Sequence, residues 1–132
     1  MLDVRQRRGV RGSRYAFANS RRLQDELHNR GIAYMHLPEL APSSETRDLQ
    51  KRADAANRTS KAKRATLTPE FIAAYERHNI EDLDWDGLLA RLTPYRAPAL
   101  FCVERTPEAC HRSLAAAALA RAATAPVQHL LP

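Results

Sequence analysis

The stretch that decides the reading of this chain is Leu100-Phe-Cys-Val-Glu-Arg-Thr-Pro-Glu-Ala-Cys-His-Arg-Ser-Leu114. It continues a short, nearly unbroken apolar run, Ala99-Leu-Phe-Cys-Val103, the pattern of a central strand covered on both faces. Glu104 and Arg105 end that run. Thr106 then supplies an N-cap hydroxyl, Pro107 suits the first helical position, and Glu108 favours the positive end of a helix dipole. From there to about Ala123 the chain is rich in Ala and Leu and carries no helix breaker. Strand, tight loop and helix start thus follow one another, gathering Cys102, Glu104, Cys110, His111 and Arg112 at one junction. Parallel α/β sheets bind ligands at the carboxyl ends of their strands, and helix N-termini attract anions. That junction is the candidate site.

Outward from it, Leu2-Asp-Val-Arg5 has the pattern of the tail of a strand: either an upstream strand and helix are missing before it, or the fold tolerates a short edge. Asn19 or Ser20 caps a helix to about Arg30, with Leu23 and Leu27 on one face and Gly31 as its terminator. Ile32-Ala-Tyr-Met-His-Leu37 is the next strand, stopped by Pro38. Strand, helix and strand joined this tightly form a βαβ unit with parallel strands. Thr68-Pro-Glu70 opens a further helix with Phe71, Ile72 and Tyr75 on its apolar face. Leu83, Trp85, Leu88, Leu89 and Leu92 form another helical stripe, in which Trp85 belongs with the core, and Val127–Leu131 is a last short strand. The expected fold class is α/β: a compact three-layer domain with a mostly parallel sheet flanked by helices.

At 132 residues the chain suits one domain, and its net charge of +6 points to an anionic partner, with nucleic acid the obvious candidate. Residues 5–22 hold seven arginines, Arg14 among them, and no acid. Gly9 and Gly12 suit a loop whose backbone N–H groups form an anion nest. Tyr15 and Phe17 there suit either stacking on a base or anchoring the loop to the core, and anchoring is the plainer account for Phe17. Residues 41–66 form an expected basic insertion, with seven bases against two acids between positions 47 and 64. It has two accounts, a solvated surface and a phosphate contact. No Walker-type or G-x-G-x-x-G loop occurs, which disfavours ATP hydrolysis and dinucleotide oxidoreduction. Two cysteines, no signal-peptide pattern and no apolar run of about 18 residues imply a reduced cytoplasm, no membrane partner and no structural disulfide.

Three segments together, Leu2-Asp-Val-Arg5, Gly31-Ile-Ala-Tyr-Met-His-Leu-Pro-Glu-Leu40 and Cys102-Val-Glu-Arg-Thr-Pro-Glu-Ala-Cys-His-Arg112, closely resemble the DUF488 family. Its members show a D-V-R near the first strand, then G-I-x-Y-x-H-L-x-x-L and C-x-E-x-x-P-x-x-C-H-R. All three occur here in that order and together span nearly the whole chain. The resemblance implies a compact α/β sandwich with a parallel sheet and a site, but no particular reaction. Members usually begin with one more strand and helix, which this chain lacks.

The residues themselves leave several chemistries open. Cys102, at a strand end near a helix N-terminus and Arg112, has the setting of a nucleophile, with His111 as its base; buried packing is the plainer account. Cys102 with Cys110 could also serve as a redox sensor. Glu104 is placed to act in a hydrolase, or to pair with Arg112. The C-x7-C-H spacing, with His36 as a conceivable fourth ligand, departs from structural zinc sites, whose cysteines sit about two to four residues apart. No metal or other cofactor is therefore expected. Asp3, Arg5, Arg14, His36, Glu39 and Arg112 are the expected ligand-binding residues, with Arg5, Arg14 and Arg112 holding an anion and Asp3, together with Glu104, orienting a sugar or base. The leading expectation is a binder of a phosphate-bearing ligand, a nucleotide or nucleic acid. A thiol-dependent enzyme and a noncatalytic nucleic-acid-binding module are the alternatives.

Overall fold

A computed structural model describes residues 1–9 and 12–130, and of Arg14 the backbone alone. Three strands form one parallel sheet: β1 (Leu2–Asp3), β2 (Met35–His36) and β3 (Leu100–Phe101). Their order is β2-β1-β3, with Leu2 in register with Met35 and Leu100, and Asp3 with His36 and Phe101. The ladder runs a little past these bounds, because Val4 N–H donates to Phe101 and Leu37 N–H to Asp3. Five α-helices accompany the sheet: α1 (Ser20–Asn29), α2 (Ser44–Ala56), α3 (Pro69–Tyr75), α4 (Trp85–Leu92) and α5 (His111–Ala123). The chain is thus a compact α/β domain with a parallel sheet.

The strand assignments change place. Leu2–Asp3 is the middle strand of the sheet and not a short edge, while the apolar run around Leu100 supplies an edge strand. Edge position leaves Leu100 and Phe101 only half-buried, whereas Leu2, Asp3 and Val4 are sealed. Leu2, Val4, Leu37, Leu40, Phe71, Tyr75, Leu88, Leu92 and Leu119 make one cluster that joins β1 to α3, α4 and α5. Trp85 packs against it with its indole N–H on the Ile80 carbonyl, as its leucine neighbours imply. Phe17 does not anchor its segment, being 52% exposed; the neighbouring Ala18 is the buried residue. Residues 127–130 form no strand and lie exposed, and Leu131 falls outside the described residues. A parallel strand needs a neighbouring edge to pair with, and among the described residues this segment meets none, so Val127 and Leu130 stay exposed.

Local chemistry explains the helix ends. Gly31, with φ of 67°, terminates α1 as a residue without Cβ can, and the N–H of Ile32 returns to Leu27. Ser43, Thr68 and Asp84 cap α2, α3 and α4 by accepting the N–H of Thr46, Phe71 and Gly87. Beyond Tyr75, α3 widens into π-helical turns over Glu76–Glu81.

Candidate functional site

The loop after β3 does not start the helix where Thr106 and Pro107 suggest. Cys110 N–H turns back onto the Pro107 carbonyl at 3.0 Å, and α5 begins only at His111, with Cys110 as its N-cap. The delay of one helical turn aims Cys110 inward. Its sulfur accepts the N–H of Arg112 at 3.4 Å and is fully buried.

Four side chains meet under this turn. One donor atom from each of Cys102, Glu104, Cys110 and His111 lies within 4.8 Å of all the others. Cys102 Sγ stands 2.6 Å and Cys110 Sγ 3.2 Å from the same Glu104 oxygen, Oε2. The other oxygen, Oε1, takes Lys61 Nζ at 2.6 Å. His111 donates from Nε2 to the Val4 carbonyl at 2.9 Å, since a carbonyl can only accept. Both cysteines are free thiols.

The electrostatics follow from these contacts. Burial alone would raise the Glu104 carboxyl, but the Lys61 charge and the Cys102 thiol hold it down at about 2. The hydrogen bond with Cys102 brings Cys110 down to about 6 against its burial, with His111 assisting. That same bond, and burial, push the Cys102 thiol well up. Burial works against a charged His111, yet Cys110 and the Val4 carbonyl raise its pKa. These contacts thus favour ionisation of Cys110 over Cys102.

Cys102, Glu104 and His111 form the floor of a cleft of about 420 Å³, within the size range of small-molecule sites. Its walls carry Arg5, Arg7, Arg47, Lys51, Lys61 and Arg64 against the carboxylates Asp48, Asp54 and Glu104. The basic insertion is thus a wall of the site. Gln50 bonds Asp54 at 2.8 Å and receives the N–H of Thr68, while Arg64 joins Asp54 at 3.1 Å to the Ala109 carbonyl.

The remaining expected residues take other posts. Arg5 is 4% exposed and gives Asp3 two hydrogen bonds of 2.7 Å, with a third to the Ala18 carbonyl. Its guanidinium also lies 4.8 Å from the centre of the Phe101 ring. Tyr34 completes Asp3 at 2.7 Å. His36 reaches the Arg5 carbonyl at 2.9 Å and stands apart from the cysteine cluster. Glu39 pairs with Arg91 at 3.2 Å and does not line the cleft. Arg112 does not pair with the Glu104 carboxylate: it holds the backbone carbonyls of Glu104 and Arg105 and so fixes the loop. The Arg14 side chain lies outside the described residues. Sequence reasoning counted Lys61 only as part of a basic run, and no local motif marks it as the partner of Glu104.

No curated protein and no solved structure matches the chain. A family model described as a domain of unknown function, DUF488, matches residues 2–119. That span takes in the sheet, the cleft and the whole cysteine cluster, and the chain belongs to the DUF488 family.

Proposed function

We propose that the protein binds a phosphate-bearing ligand, a nucleotide or nucleic acid, in the cleft above Cys102, Glu104 and His111. The carrying observation is the composition of its walls: six cations face three carboxylates around a volume of about 420 Å³ at the carboxyl ends of β1 and β3. Arg5 and Arg64 are committed to buried partners, so the anion falls to Arg7, Arg47, Lys51 and Lys61. Lys51 is 73% exposed and can leave its surface partner Asp48 for a phosphate at little cost, while Lys61, 63% exposed, can stay on Glu104 and turn its remaining N–H donors to the anion. The reading is one of recognition. A carboxylate held at about 2 is a weak base at neutral pH, which argues against Glu104 as the base of a hydrolase.

The test is fluorescence anisotropy of a labelled single-stranded oligonucleotide across a salt series, with a nucleoside triphosphate as competitor. Binding should weaken steeply with salt. In an Arg7→Ala, Arg47→Ala, Lys51→Ala protein the log–log salt slope should shrink by about 2. Competition by the triphosphate favours a nucleotide site, and its failure favours a longer nucleic acid. Binding of neither, or an unchanged slope, contradicts the proposal.

A further inference from the structure

The Cys102, Glu104, Cys110 and His111 cluster is costly to build merely as packing. Glu104 is a carboxylate only 7% exposed, and two of its partners are thiols, which are weak donors. A hydrophobic side chain in its place would need none of them. The supporting contacts have a different logic. His111 spends Nε2–H on the Val4 carbonyl, which fixes the ring and leaves Nδ1 as the nitrogen with a lone pair. Lys61 occupies Oε1 of Glu104 and leaves Oε2 among the sulfurs. Metal-ligating histidines and carboxylates are held by outer partners in this way.

We propose that Cys102 Sγ, Glu104 Oε2, Cys110 Sγ and His111 Nδ1 bind one divalent cation of the zinc class. Thiolates with imidazole select a borderline-soft ion and exclude magnesium and calcium, which prefer oxygen ligands. Tetrahedral zinc sets neighbouring donor atoms roughly 3.3–3.8 Å apart, from its bond lengths of about 2.0–2.3 Å. The four donors lie within 4.8 Å of one another, with the sulfur–oxygen pairs at 2.6 and 3.2 Å. Side-chain shifts on the order of 1 Å convert the one arrangement into the other. Each thiol that enters as a thiolate releases its proton to solvent. Two thiolates and a carboxylate bring three negative charges to a doubly charged ion, and Lys61 offsets the excess. Cys102, Glu104 and His111 line the cleft, which gives the ion its path. Sequence spacing hides the site because its fourth ligand is Glu104, two residues after Cys102, and not His36.

The experiment uses reduced, tag-free, chelator-treated protein titrated with cobalt(II), then with zinc(II). One equivalent of cobalt should bind and show thiolate-to-cobalt charge-transfer absorption, which zinc removes. Cys102→Ser should roughly halve that absorption. Lys61→Ala should lower affinity by about 10–100-fold with the band retained, as outer-partner losses do. The unmodified protein carries the decisive readout, so a variant that fails to fold leaves the test intact. Absence of the band in protein folded by circular dichroism, with both thiols shown to be reduced by alkylation after unfolding, overturns the proposal in favour of a thiol pair. Cobalt uptake that survives in a folded Cys102→Ser, Cys110→Ser protein also overturns it. Neither result bears on whether the cleft takes an anion.

Discussion

Asp3 and Arg5 stand at the end of the middle strand, both nearly sealed from solvent, and their bidentate pair fixes the point where β1 leaves the sheet. Removing one partner leaves an uncompensated buried charge, so Asp3→Asn should cost about 3–5 kcal/mol in urea unfolding. Burial raises the Asp3 carboxyl, but hydrogen bonds from Arg5 and Tyr34 and the Arg5 charge more than offset this and lower it below 3.8. The folded protein then binds this proton less readily than the unfolded chain. The stabilisation is present in full above pH 3.8 and is lost as pH falls through the folded value. Acid unfolding followed by Trp85 fluorescence should steepen below about pH 4, and Asp3→Asn should flatten that limb. At this scale the sequence is partly informative. Cys102, Glu104, Cys110 and His111 meet as their shared junction implies, because two turns of backbone hold them together. Arg5 and Arg112 turn inward instead, where buried carboxylate and carbonyl oxygens need donors more than solvent does.

Among the elements, α2 and the loop after it matter most, since they form the basic wall of the cleft. The wall is tied down through Arg64, which links Asp54 to the Ala109 carbonyl just before the Cys110 turn. Arg64→Ala should cost about 2 kcal/mol, the usual loss for hydrogen bonds to a charged group, and a urea titration reads it directly. The same variant should speed amide exchange at Cys110 and His111 if the wall supports the turn. Thr68→Ala removes the cap of α3 and should cost about 1 kcal/mol. Helix interiors and caps such as Thr68-Pro69 are legible in sequence because their signals are local. The start of α5 is not, since Thr106-Pro107 offers an equally good local start. The alternative is chosen by contacts of Cys110 with Glu104, which sequence alone does not display.

For the whole molecule, the parallel α/β class follows from the alternation of apolar runs with helical stripes, while strand order does not. An apolar run such as Ala99–Val103 suits a central or a half-covered edge strand alike. The basic stretch at 47–64 divides in space. Arg47, Lys61 and Arg64 face the cleft, Arg52 lines an open groove beside α2 and α3 with Ala74 and His78, and Asp48 and Lys51 border both. Among the described residues no helix is long and apolar enough to cross a membrane. On the proposed reading, anions should gather in the cleft above the cysteine cluster rather than in the outer groove. Amide chemical-shift mapping by two-dimensional NMR, during titration with a nucleoside triphosphate at low salt, tests it most directly. Shifts should be confined to Gln6, Arg7, Arg47, Lys51, Lys61, Val103 and Glu104 and their neighbours, saturating together. Shifts centred on Arg52, Ala74 and His78, or none with either the triphosphate or the oligonucleotide, would contradict it.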